Sequence, residues 1–242
     1  TVIIKQIIAE KFGVLYSVQY LSAFLKNIGY SFQKAKFLAS KASEEERKKW
    51  LEEVWPNLLK AAEKNNDYIF FGDEASFPQW GTLSYTWSRK GDQPLVKTCG
   101  TRRAFKTFGA IEYFSGKFFS YGIEGKFNSE TYKKFLSEIL SKTKKVIHLI
   151  QDGARYHTSK EMRSFFEQHK DRIICYQLPS YSPDYNPIEI LWKKIKKAGI
   201  HLRYFPTFDD LMNKVTELLV TFENTPREVL KVFGFYKNDD MI

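Results

Sequence analysis

Residues 145–152 read KVIHLIQD, an apolar run closed by a polar pair. A stretch of that length with little polar interruption fits a central strand covered on both faces. The same texture recurs in DYIFFGD (67–73) and RIICYQL (172–178), so three buried strands are expected. Between the first and second, AFKTFGAIEYF (104–114) and KFFSYGIEG (117–125) flank Ser115 and Gly116, the pattern of two antiparallel strands around a tight turn. A helix follows from Asn128 or Ser129, with Tyr132, Phe135, Leu136, Ile139 and Leu140 at core-facing spacing. Thr158 with Glu161 reads as a capping box opening another helix, out to about His169. A β-meander followed by alternating strands and helices predicts an α/β fold, a mixed five-stranded sheet flanked by helices on both faces.

Outward from this block, residues 2–12 and 17–28 show helical spacing around a break at Gly13. In the second of these, Val18, Leu21, Phe24, Leu25 and Ile28 form an apolar stripe, while Gln19, Ser22, Lys26 and Asn27 point away. Such a polar face suits a helix-turn-helix entering a major groove, and equally an ordinary packed pair. A third helix, about 43–64, begins SEEERKKWLEEVW and reads as a solvated connector. Residues 74–103 look like turns plus a hairpin. The Pro-rich PSYSPDYNP (179–187) leads to a helix at about 187–198, and a last helix spans about 208–222.

The 242 residues, 43% hydrophobic and 17% aromatic, suffice for a packed core. With 38 Lys plus Arg against 28 Asp plus Glu, the net charge of +10 favours a polyanionic partner. Cys99 and Cys175 stand far apart in a chain with no signal-like segment, so no disulfide framework is expected, and His148, His157, His169 and His201 show no zinc spacing. No apolar run approaches the roughly 18 residues of a membrane span, so a soluble, cytoplasmic, nucleoid-associated protein is expected. Thr1 stands almost inside a helical pattern, which suggests further sequence upstream.

Three acids concentrate the chemistry. Asp73 and Asp152 end apolar runs, where a carboxylate must be paired, protonated or metal-bound. Glu189 follows Asp152 by 37 positions (189 − 152) at the start of a basic helix. If the first two strands are neighbours, about 4.8 Å apart, both Asp side chains can reach one ion. Carboxylates without Cys or His fit Mg²⁺ or Mn²⁺, and two such ions about 4 Å apart serve in-line phosphodiester displacement. Other readings stand beside these. Asp73 and Asp152 can bond turn amides, and Glu189 can close a capping box with Asn186 as N-cap and Pro187 at the first helical position. Glu74 should point to the other side of its strand as a supporting or structural group, and His157 can orient a ligand or cap a helix. Lys193, Lys194, Lys196 and Lys197 face outward beside Glu189, as a phosphate-binding or simply solvated face. In YTWSRKGDQP (85–94), Trp87, Arg89 and Lys90 could touch DNA, or Trp87 could pack within its turn.

In order, FGDEASF (71–77), QDGARYH (151–157) and SPDYNPIEILWKKIK (182–196) resemble the DDE transposases of the mariner superfamily, particularly the bacterial and archaeal insertion-sequence branch. The spacing of the last two acids, the NPIE-x-x-W-x-x-x-K block and WSRKG (87–91) carry the likeness over nearly the whole chain. Residues 2–36 look like the end of that family's helix-turn-helix region. The resemblance implies an RNase H-like catalytic domain with Asp73, Asp152 and Glu189 as metal ligands. It further implies Mg²⁺ or Mn²⁺, terminal inverted repeats and target DNA (commonly TA) as substrates, and a homodimer in the synaptic complex. The organisation expected is a partial helix-turn-helix region over 1–42, a linker helix over 43–66, the catalytic domain over 67–225 and a tail over 226–242. A nuclease of the same fold that does not join ends, or a regulator derived from such an enzyme, remains the alternative.

Overall fold

The computed structural model describes residues 2–31 and 43–237. The chain divides into two units, residues 1–40 and 41–242. The first contains α1 (Val2–Phe12) and α2 (Val18–Asn27), the latter capped by Ser17, whose hydroxyl accepts from the Tyr20 amide at 3.1 Å. Gln19 and Lys26 are exposed on α2, and of its apolar stripe Leu21 is buried while Phe24 and Ile28 remain exposed.

The second unit is built on β1 (Tyr68–Pro78), β2 (Ala104–Glu112), β3 (Phe118–Ile123), β4 (Ile147–Gln151) and β5 (Ile173–Gln177), in the order β3-β2-β1-β4-β5. β1 runs antiparallel to β2 and parallel to β4, and β4 parallel to β5. Alternate β1 side chains feed two cores, as strand geometry requires. Phe71, Ala75 and Phe77 pack under α4 (Trp55–Asn65), α7 (Pro187–Gly199) and α8 (Phe208–Glu223). Phe70, with Phe108 and Leu149 from its neighbours, packs under α5 (Ser129–Lys142) and α6 (Lys160–Gln168).

Several expectations change. Asp73 does not end its strand: β1 continues to Pro78, because β2 pairs with it from Phe70 to Pro78 while β4 pairs only over Tyr68–Phe71. Asp73 therefore lies just past the point where β1 loses its parallel neighbour. The segment between β1 and β2 contains no hairpin among the described residues, only an isolated bridge from Thr82 to His201. Its Trp87 is 100% exposed rather than packed in a turn. β5 is an edge strand with Ile174 exposed, not a buried one, since only β4 pairs with it. The cap of α6 is Ser159, one residue beyond Thr158, with its hydroxyl accepting from the Met162 amide at 3.2 Å.

Residues 43–66 are more than a solvated linker. After α3 (Glu44–Lys49) and a π-helical turn (Trp50–Val54), the segment buries Trp50, Trp55, Leu58 and Ala62. Nor is 226–237 a loose tail: α9 (Pro226–Leu230), a 3₁₀ turn (Lys231–Phe233) and α10 (Gly234–Lys237) bury Val229, Val232, Phe233 and Tyr236. The Trp50 indole donates to the Tyr236 hydroxyl at 3.3 Å, and that hydroxyl donates to the Tyr185 carbonyl at 2.6 Å. Gly116, at φ +72°, turns the β2–β3 hairpin so close to this segment that a Cβ would lie 2.3 Å from the Pro226 carbonyl oxygen. No described helix is long and apolar enough to cross a membrane.

Candidate active site

A cleft of about 420 Å³ opens beyond the carboxyl end of β4, where ligands gather in open α/β sheets. Asp73, Asp152 and Glu189 all line it, together with Asn186 and residues 177–183. The chain thus brings the three acids foreseen from sequence to one opening, each from a different element: mid-β1, the turn after β4, and the first turn of α7.

Burial, reinforced by the facing carboxylates of Glu189, Glu74 and Asp152, holds Asp73 well above the usual carboxylate range. The Trp192 indole on α7 donates to Asp73 Oδ2 at 3.1 Å, tying one oxygen in place. That approach depends on Gly109, the β2 partner of Asp73: a Cβ there would sit 2.5 Å from the Trp192 ring. Asp152 behaves oppositely. The hydrogen bond from His157 lowers its pKa against partial desolvation, with help from the Ala154 amide. Its Oδ1 accepts from Ala154 N at 3.0 Å and lies 3.1 Å from His157 Nδ1. The turn-amide reading of Asp152 is therefore realised, but it occupies one oxygen and leaves Oδ2.

The capping-box reading of Glu189 is not: the start of α7 has no side-chain cap. Asn186 turns its amide inward, Nδ2 donating to the Gly72 carbonyl at 3.1 Å, while its Oδ1 is buried without a partner. The loop that delivers Asn186 and Glu189 is pinned by Arg47, whose guanidinium pairs with Asp184 at 3.0 Å and lies 4.7 Å from the Tyr185 ring centre.

Glu74 points to the opposite face of β1, as strand alternation predicts. There Glu74, Asp152 and His157 each bring a ligand atom within 4.8 Å of the others, a tighter group than the three cleft acids form among the described residues. His157, 3% exposed, is held between the rings of Tyr132 and Tyr156 at 4.4 and 4.3 Å. Its Nδ1 faces two oxygens of Asp152, the carboxylate and the carbonyl, and so carries the proton; its Nε2 is buried without a partner, as is Glu74 Oε2, while the Tyr156 hydroxyl lies toward the Glu74 carboxyl. Burial raises the Glu74 pKa.

Oxygen donors that repel one another, together with orphaned oxygens on Glu74 and Asn186, fit a hard divalent cation. The basic face of α7 is narrower than expected. Lys193 and Lys197 are exposed, but Lys194 reaches back to the Glu228 carbonyl at 3.4 Å and Lys196 lies 5.6 Å from the Phe77 ring. Arg89 and Lys90 are exposed on the irregular segment, with no strand to hold them. The role of Trp192 was missed from sequence, where the residue appeared only as part of the NPIE-x-x-W-x-x-x-K block; the signal available was its place three positions after Glu189.

Residues 68–212 match the profile of the DDE superfamily endonucleases. The chain belongs to that family. A winged helix-turn-helix profile matches residues 1–54. The Tc3 transposase of Caenorhabditis elegans is 30% identical over 136 residues, which cover 51% of this DDE-family chain and 40% of the relative. Among solved structures, a pre-cleavage Mos1 transpososome is similar with a TM-score of 0.65 at 15% identity, covering 95% of this chain and 72% of that one. The mariner Mos1 paired-end complex with Mg has a TM-score of 0.63 at 16% identity, covering 95% and 72%. These likenesses establish an RNase H-like fold for this family member, with the mixed five-stranded sheet described above.

Proposed function

We propose that this chain is the catalytic part of a mariner-type DNA transposase of the bacterial or archaeal insertion-sequence branch. It would cleave DNA at transposon ends and transfer the freed 3′ hydroxyl into target DNA, with TA as the preferred site. The observation that carries this reading is one cleft lined by Asp73, Asp152 and Glu189 at the carboxyl end of β4 in a DDE-family fold. The Tc3 relative and the Mos1 complexes supply the substrate class: those proteins are described as a transposase, and as a transpososome and a paired-end complex.

In this reading Asp73, Asp152 and Glu189 hold Mg²⁺ or Mn²⁺, two ions rather than one, with Glu74, His157 and Asn186 in support. When bound, such a pair would activate the attacking oxygen and stabilise the leaving one in an in-line displacement. The residues themselves position the site. Trp192 fixes Asp73, His157 with the Ala154 amide fixes Asp152, and the Arg47–Asp184 pair steadies the loop before Glu189. Exposed Lys193 and Lys197, with Arg89 and Lys90, attract the phosphodiester backbone, and Gln19 and Lys26 belong to the DNA-reading region within residues 1–42. The catalytic unit then includes the helices from 43 onward, and the working form is a homodimer holding two ends.

Cleavage of end-containing duplexes with Mg²⁺ or Mn²⁺ should vanish in Asp73→Ala, Asp152→Ala and Glu189→Ala, and pre-cut ends should be joined to target DNA by the wild type. Cleavage that survives in all three variants would refute the reading. Cutting without joining would reduce it to a nuclease.

A further inference from the structure

A second cleft, of about 720 Å³, lies away from the acids and has no part in the chemistry above. It is lined by Arg102 and Arg103 just before β2, by Lys106 on β2, by residues 122–125 at the end of β3, and by Phe208 and Met212 of α8. Resting on the transposase reading, we propose that this cleft is a backbone-binding track for the DNA beside the cut site, gripping phosphates without reading bases.

The charge is unspent. None of Arg102, Arg103 and Lys106 forms an ion pair among the described residues, and against these three cations the cleft wall carries one acid, Glu124. Two of the cations are held in position by uncharged partners. The Arg103 guanidinium lies 4.0 Å from the Phe208 ring centre, and Lys106 donates to the Gly125 carbonyl at 2.6 Å while lying 5.7 Å from the Phe127 ring. Stacking and a carbonyl contact orient these groups without neutralising them, so their charge remains available to an anion.

Register places the track relative to the cut. Asp73 pairs with Gly109 and Ser76 with Lys106, three rungs further along β1, and the Gln79 amide donates to the Arg103 carbonyl at 2.9 Å beyond the strand end. At roughly 3.4 Å per residue, Lys106 stands on the order of 10 Å from Asp73 along the sheet with its side chain on the face of Glu74, while Arg103, further along, returns to the face of Asp73, so the track wraps the end of the β2–β3 pair. Duplex DNA rises about 3.4 Å per base pair, so a phosphate some three base pairs from the scissile bond meets this cleft. Arg103 would meet the next phosphates outward. A sequence-neutral grip is what either flanking or target DNA demands, because neither has a fixed sequence at that distance.

The test is salt-dependent binding of a random-sequence duplex in EDTA, where no chemistry intervenes. Each lost phosphate contact should flatten the slope of log K against log salt by about 0.9. Replacing all three cations (Arg102→Ala, Arg103→Ala, Lys106→Ala) should therefore make the slope shallower by roughly 2 to 3, and Arg102→Lys with Arg103→Lys should restore most of it. Lys106→Gln alone, a mild change at a half-buried position, should remove about one contact if the triple variant fails to fold. An unchanged slope and affinity in folded variants would overturn the proposal while leaving the transposase reading intact. So would a change in self-association without one in DNA binding. Failure of the wild-type chain to bind any duplex would instead overturn both.

Discussion

The indole nitrogen of Trp192 donates to Asp73 Oδ2 at 3.1 Å, joining the helix that carries Glu189 to the strand that carries Asp73. Two acids 116 positions apart (189 − 73) are thereby set by one rigid contact, since Trp192 stands one helical turn after Glu189. Trp192→Phe deletes the donor and, with it, part of the buried ring that meets Phe77 and Phe118. A hydrogen bond to a charged group contributes about 1.5–3 kcal/mol, so Mn²⁺ affinity should fall at least about tenfold, read by titration of the paramagnetic ion. Stability should fall too, from the buried volume lost, so Trp192→Leu, which loses the donor and still more volume, should destabilise further while lowering Mn²⁺ affinity no more than Trp192→Phe does.

Removing the charge of Asp73 should stabilise the metal-free protein. Burial and the neighbouring Glu189, Glu74 and Asp152 raise its folded-state pKa above the unfolded value. The folded state then binds the proton more tightly, and stability falls as pH rises from the unfolded pKa toward the folded one. Asp73→Asn should flatten that decline and raise the melting temperature by a few degrees at neutral pH in EDTA, at roughly 2–4 °C per kcal/mol for a chain of this size. Added Mg²⁺ should stabilise the wild type and leave the variant nearly unmoved. A variant that melts lower than the wild type in EDTA would contradict this account.

His157 holds Asp152 in place through Nδ1 and fills the space between two tyrosine rings. Because Asp152 is depressed in the folded state, its contribution is present above the unfolded pKa and lost as pH falls through the folded one. His157→Ala should cost about 1–3 kcal/mol from the buried void and weaken Mn²⁺ binding. His157→Asn can return a donor near the position of Nδ1 and should recover metal affinity more than stability. Equal recovery of both would mean that His157 only packs.

The C-terminal helices should be indispensable to the catalytic unit. Tyr236→Phe removes the hydroxyl that accepts from Trp50 and donates to Tyr185, at a cost of about 1–3 kcal/mol measured by urea unfolding. Ending the chain at residue 225 would uncover Trp55 and Phe71, which lie 4.4 and 5.1 Å from the Tyr236 ring, and should give an aggregating product.

What the sequence determined by itself was the alternation of elements and the identity of the acids. Apolar runs of strand length, a tight Ser-Gly turn and helical stripes are local patterns, and burial in a sheet demands them wherever the strands end up. KVIHLIQD became β4, and the hairpin around Ser115 and Gly116 became β2 and β3. Asp73 and Asp152 could be singled out because a carboxylate ending an apolar run is costly without a reason, and Glu189 by its place at the head of a basic helix 37 positions (189 − 152) after Asp152. The tertiary structure alone decided that Asp73 lies in mid-strand, since the length of β1 is set by its pairing with β2, from Phe70↔Glu112 to Pro78↔Ala104 across an irregular intervening segment. It also decided that the charged helix and the supposed tail are core, because each hides a few large apolar groups among charges and only a partner surface reveals which face they cover. The hold of Trp192 on Asp73 and of His157 on Asp152 belongs to the same class: such contacts join residues whose proximity exists only after the sheet has closed.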